Sequence, residues 1–79
     1  MLIIQFYSRD DKDQVLNFYK GVLKNAENKK ESVMEKESGN SYSLAGVLDN
    51  YKASFVISDV NIEGFEYKTL INLEVNLLE

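Results

Sequence analysis

The chain has no cysteine, histidine, tryptophan or proline, and each absence removes a class of chemistry. Without cysteine there is no disulfide, no thiolate nucleophile and no sulfur ligation of zinc or iron–sulfur clusters. Without histidine there is no ordinary transition-metal site and no side chain that titrates near neutrality by default. Ser-His-Asp and Cys-His catalysis are excluded outright. Only one arginine, Arg9, is present, which argues against bidentate phosphate recognition. No apolar run approaches the length of a membrane-spanning helix. Met1-Leu2-Ile3-Ile4 ends at Gln5 and Arg9-Asp10-Asp11, too short for the core of a signal peptide. A soluble, cytoplasmic protein is expected.

What remains is a chain of 79 residues, 44% hydrophobic and 28% charged, with nine aromatics (five Tyr, four Phe). That is the composition of a folded domain, and the length allows one compact domain over 1–79. A domain of about 60–80 residues buries only roughly 60% of its unfolded surface. Having neither disulfide nor metal, it must rely on a well-patterned core, self-association or a partner. Nine basic and thirteen acidic residues give a net charge of −4. The only adjacent basic pair, Lys29-Lys30, runs directly into Glu31. Direct nucleic-acid binding is therefore not expected.

Hydrophobic periodicity predicts the elements. Leu2-Ile3-Ile4-Gln5-Phe6-Tyr7 reads as a strand, nearly all apolar, as expected of one covered on both faces or central in a sheet. Ser8-Arg9-Asp10-Asp11 approximates a capping box, and the 3.6-residue period that follows predicts a helix over about 10–27. Val15, Leu16, Phe18, Tyr19, Val22, Leu23 and Ala26 share its apolar face. Residues 28–38 read as a short edge strand closed by a Gly39-Asn40 turn, with an extended helix as the alternative.

The last forty residues form a meander. A turn at Asp49-Asn50 pairs Leu48 with Tyr51, Leu44 with Phe55 and Tyr42 with Ile57. For the following hairpin, a three-residue loop at Ile62-Glu63-Gly64 pairs Phe55 with Ile71, Ala53 with Leu73 and Tyr51 with Val75. It also places Lys52 opposite Glu74 and Val56 opposite Leu70. The fold class is α+β, with one helix on a mainly antiparallel sheet of four to five strands, ordered β-α-β-β-β(-β).

Candidate functional residues are few. Asp10, Asp11 and Asp13 lack the onward oxygen ligands, the Gly and the distal Glu of a calcium loop, and suit a helix start instead. No GxSxG elbow, Ser-x-x-Lys or glycine-rich phosphate loop is present, so no catalytic residue, metal or cofactor is assigned. Glu31, Glu35 and Glu37 form an acidic cluster that either protects an edge strand or meets a basic partner. The outer sheet face offers Val56 and Leu70 within a rim of Ser and Asn, and Phe65 and Tyr67 beside a turn suit anchoring aromatics. A C-terminal strand over Leu70–Leu78 would, at an edge, add to another sheet.

The expected function is a non-catalytic protein-binding module acting by steric occlusion of a larger, basic protein, with Glu35, Glu37, Val56, Phe65, Tyr67 and Leu70 at the contact. No stretch matches a family motif. A small, acidic chain without catalytic residues is what an inhibitor or immunity-type protein needs, and phage anti-defence proteins, anti-CRISPR inhibitors among them, offer an analogy in size, charge and composition alone. The alternative is a structural protein that self-associates as a homodimer or larger oligomer.

Overall fold

The computed structural model describes residues 1–36 and 39–78. The elements run β1 (Leu2–Ser8), α1 (Lys12–Val22), β2 (Glu27–Lys36), β3 (Gly39–Leu48), β4 (Tyr51–Asp59) and β5 (Thr69–Leu77). All five strands form one antiparallel sheet in the order β1-β5-β4-β3-β2. The α+β class and the β-α-β-β-β-β order follow the pattern of the sequence.

The helix starts later and ends sooner than its periodicity predicts. Asp11, rather than Ser8, is the N-cap: its carboxylate accepts from the Gln14 amide, and the Gln14 side chain accepts from the Asp11 amide. Ser8 ends β1, and its hydroxyl accepts from the Asp10 amide. At the other end, Leu23 and Ala26 continue the apolar stripe beyond the helical turns. The chain then enters β2 through a bulge between Glu27 and Lys30, with Asn28 at φ 54°. Residues 28–36 are an edge strand, as the edge-strand reading requires. Gly39 and Asn40 are not a turn but the first two residues of β3, pairing with Lys36 and Glu35. The connection they were expected to make falls at 37–38, outside the described residues.

The β3–β4 hairpin keeps the expected register, with Leu48 opposite Tyr51, Leu44 opposite Phe55 and Tyr42 opposite Ile57. Asp49 takes φ 52°, the left-handed conformation that Asp tolerates in a tight turn. The next register differs. Phe55 faces Leu73, Ala53 faces Val75 and Tyr51 faces Leu77, two residues from the expected pairing. The link is not a three-residue loop but the segment 60–68, in which Phe65 N–H donates to the Ile62 carbonyl and Gly64 takes φ 80°. Lys52 therefore faces Asn76 and Glu74 faces Ser54, so the expected Lys52–Glu74 opposition does not occur.

The core lies between α1 and the middle of the sheet. Val15, Leu23 and Ala26 pack with Leu44, Ala53, Phe55, Ile57 and Ile71. Tyr19 stacks on Phe55 with ring centroids 4.4 Å apart. Gly46 lets the end of this layer close: a Cβ built there would stand 2.8 Å from the Ala26 Cβ, so the close approach leaves no room for a side chain. At the opposite end, the buried Thr69 hydroxyl donates to the Asp10 carbonyl at 2.7 Å. Lys12 reaches the Asp59 carboxylate at 2.7 Å and the Asn40 carbonyl at 2.9 Å, tying the helix start to β4 and β3.

An eleven-residue helix is about 16 Å long, whereas the molecule measures 43 × 21 × 21 Å. The helix therefore cannot cover the sheet. It runs from the Thr69 end toward Gly46 in β3 and leaves the far corner of β1 and β5 bare.

Candidate interaction surface

β1 is an edge strand rather than a central or doubly covered one. Among the described residues it pairs only with β5, and its other side meets no strand. The apolar run that suggested burial is instead exposed: Leu2, Ile3, Ile4 and Tyr7 are all open, Ile3 at 63%. No residue from Leu2 to Ser8 is charged at neutral pH. An edge of this kind keeps its outward N–H and C=O groups available for another strand.

Alternation along β1 gives the strand two distinct faces. Leu2, Ile4 and Phe6 share the helix side with Leu73, Val75 and Leu77 of β5. There, Phe18 stands out from α1 at 65% exposure. A groove of about 220 Å³ lies between helix and strand, lined by Phe6, Val15, Phe18, Tyr19 and Ile71, with Ser8, Asp10 and Gln14 at its polar end. Burial in this layer raises the Tyr19 phenol above its ordinary value near 10.0.

Ile3, Gln5 and Tyr7 lie on the other side. Tyr7 meets Phe65 edge to face at 5.2 Å and Tyr67 at 6.1 Å, and Phe65 and Tyr67 are themselves 5.3 Å apart. Arg9 lies over the Tyr67 ring at 5.5 Å and pairs with Glu66 at 2.8 Å, giving the aromatic corner a charged rim. Gln5 donates to Asn72 at 3.0 Å across the β1–β5 pair.

The residues singled out from sequence divide between two regions. Phe65 and Tyr67 come together, and Leu70 lies opposite Tyr7 in the adjoining ladder. Val56 is on the same sheet face but faces Asn72, while Leu70 faces Ser58, so the expected Val56–Leu70 opposition is replaced by a diagonal relation. Glu35 belongs to β2, at the opposite edge of the sheet. Glu37 lies outside the described residues. The segment Leu70–Leu78 is not an edge: β5 is held between β1 and β4. Sequence reasoning missed Leu2, Ile4, Tyr7 and Phe18 as surface residues. The available signal was the absence of charge in β1, which an exposed edge and a buried strand share.

Among the described residues, no group of three or more His, Cys, Asp or Glu is placed to hold a metal ion, and no helix is long and apolar enough to cross a membrane. Compared with family models, curated proteins and solved structures, the chain matches none.

Proposed function

We propose that the chain is a non-catalytic protein-binding module that docks through β1 and the apolar surfaces on either side of it. The observation that carries this reading is the uncharged edge strand, paired on one side only, with exposed Leu2, Ile3, Ile4 and Tyr7. Open backbone groups supply affinity in strand addition, and the alternating side chains supply specificity. The aromatic corner of Tyr7, Phe65 and Tyr67 has the anchor composition common at the centre of interfaces. Arg9 and Glu66 form its polar rim.

Occlusion of a larger protein, as an anti-CRISPR or immunity-type inhibitor does, is the narrower form of this function. Acidic steering by Glu35 would then act from the edge opposite the anchors. Steering and anchoring on two separate edges require a partner that wraps the sheet, so the β1 surface is the more economical contact.

The test is position-specific crosslinking in the native cells. A photoreactive residue at Ile3 should give discrete protein adducts, and one at Ser32 on β2 should give none. Adducts from Ser32 alone, or from neither position, overturn the assignment of binding to β1.

A further inference from the structure

We infer that the occupant of β1 is a second copy of this chain, paired antiparallel so that two five-stranded sheets join into one of ten strands. This rests on the protein-binding reading above and names its partner. Charge favours the choice. Two copies with net charge −4 repel in general, and the contact least affected is a strand without charge. A basic partner would be met by carboxylates along the strand, and Leu2–Ser8 has none. The other edge is unsuited to self-pairing, with Glu27, Lys29, Lys30, Glu31 and Glu35 along it.

Geometry supplies the register. A two-fold axis perpendicular to the sheet at Gln5 uses all seven residues of β1 in the new ladder. It sets Ile3 beside Tyr7 on one face, and Ile4 beside Phe6 on the helix face. Leu2 of the second copy then falls beside Ser8, at the mouth of the groove that Phe6, Val15 and Phe18 line. The exposed hydrophobics Leu2 and Phe18 thus cover one another twice, once at each end of the symmetric contact. The exposed parts of Leu2, Ile3, Ile4, Tyr7 and Phe18 come to roughly 550 Å², the larger part of the roughly 800 Å² that each partner buries in a stable interface.

Light scattering after size exclusion should give twice the 9.1 kDa chain mass at micromolar concentration, and Ile3→Lys should return it to the single-chain mass with an unchanged circular dichroism spectrum. Because the chain has no cysteine, a single introduced thiol reports the register without interference. Directly opposed residues of an antiparallel pair stand about 4.5–5.5 Å apart at Cα, within the range a disulfide spans. Oxidised Gln5→Cys should run as a covalent dimer, and Ser32→Cys should not. This readout stands even if Ile3→Lys fails to fold. A single-chain mass for the unmodified protein, with no crosslink through Gln5→Cys, overturns the second copy as partner. Adducts from Ile3 to other proteins in cells would then leave the protein-binding reading in place. A dimer that persists in Ile3→Lys and crosslinks through Ser32→Cys puts the contact on the other edge and overturns both.

Discussion

The two edges of the sheet are built on opposite plans. β2 carries Glu27, Lys29, Lys30, Glu31 and Glu35, and its side of the molecule is closed by Leu23 and Ala26 seated over Gly46. Lys20 of α1 reaches toward Glu31 at 3.8 Å, adding a weak link between helix and edge. β1 carries no charge, and the helix leaves its Leu2 end bare. Charge on an edge strand discourages a foreign strand, because pairing would desolvate it or set like charges together. One edge is therefore protected and the other open. In a domain this small, leaving Leu2, Ile3, Ile4, Tyr7, Phe18 and Phe65 exposed along one side sacrifices stability that burial would have supplied. That cost is the physical reason to assign β1 a binding role.

If the two sides share one core despite their different edges, matched truncations should cost the same. Ile71→Ala beside β1 and Leu44→Ala beside β2 remove side chains that are 1% and 2% exposed, and each should lose about 2–5 kcal/mol in urea denaturation. A much smaller loss for Leu44→Ala would break the picture, making the β2 side an annex to a core centred on β5.

A smaller contrast separates the two ion pairs near the start of the helix. Lys12 is 14% exposed at its side chain, bonds Asp59 and the Asn40 carbonyl, and lies 5.1 Å from the Tyr42 ring centroid. Its replacement in Lys12→Met should cost about 1–3 kcal/mol, because a charged hydrogen bond is lost and Asp59 is left without it. The Arg9–Glu66 pair on the β1 side is mostly exposed, so Glu66→Gln should change stability by less than about 0.5 kcal/mol. Equal effects in thermal melts would show that the β1 corner is more rigid than its exposure implies.

The smallest effect is on the alkaline limb of stability. Tyr19 has a phenol held above its ordinary value near 10.0 by burial. Its folded-state preference for the proton contributes stability that is fully present below that ordinary value and is lost as pH rises through the raised folded value. Tyr19→Phe should remove that part of the alkaline decline while leaving the neutral-pH melt nearly unchanged. An identical decline in both proteins would show that other groups govern it.

The candidate surface was partly legible beforehand. Phe65, Tyr67 and Leu70 stood out as apolar residues near a turn and on the outer face, and they gather around Tyr7. Leu2 and Ile4 did not stand out, because an unbroken apolar run reads the same in a buried strand and in an open edge. Phe18 belonged to the apolar stripe of the helix, and only the path of that helix over the sheet separates it from buried Val15. The β4–β5 register shows a similar limit. A slip of two residues keeps every side chain on its own face, so alternation cannot detect it. Anchors distant in sequence set the pairing: Thr69 on the Asp10 carbonyl, Lys68 N–H on the Ser8 carbonyl, and Phe65 and Tyr67 on Tyr7.

What the sequence by itself determined was local and periodic. It specified one helix, a meander of antiparallel strands, the Asp49-Asn50 hairpin and the two faces of each central strand, since these depend on spacing and turn chemistry within about ten residues. Its missing histidine and cysteine also excluded whole classes of chemistry before any fold was known. The tertiary structure alone decided which strands stand at the edges and what the short helix leaves uncovered. Strand order follows from long-range pairing: β1 meets β5 across more than sixty residues of chain, and no local pattern encodes that meeting. The same uncharged apolar strand would have been core one place further into the sheet. At its edge, it is an exposed apolar surface.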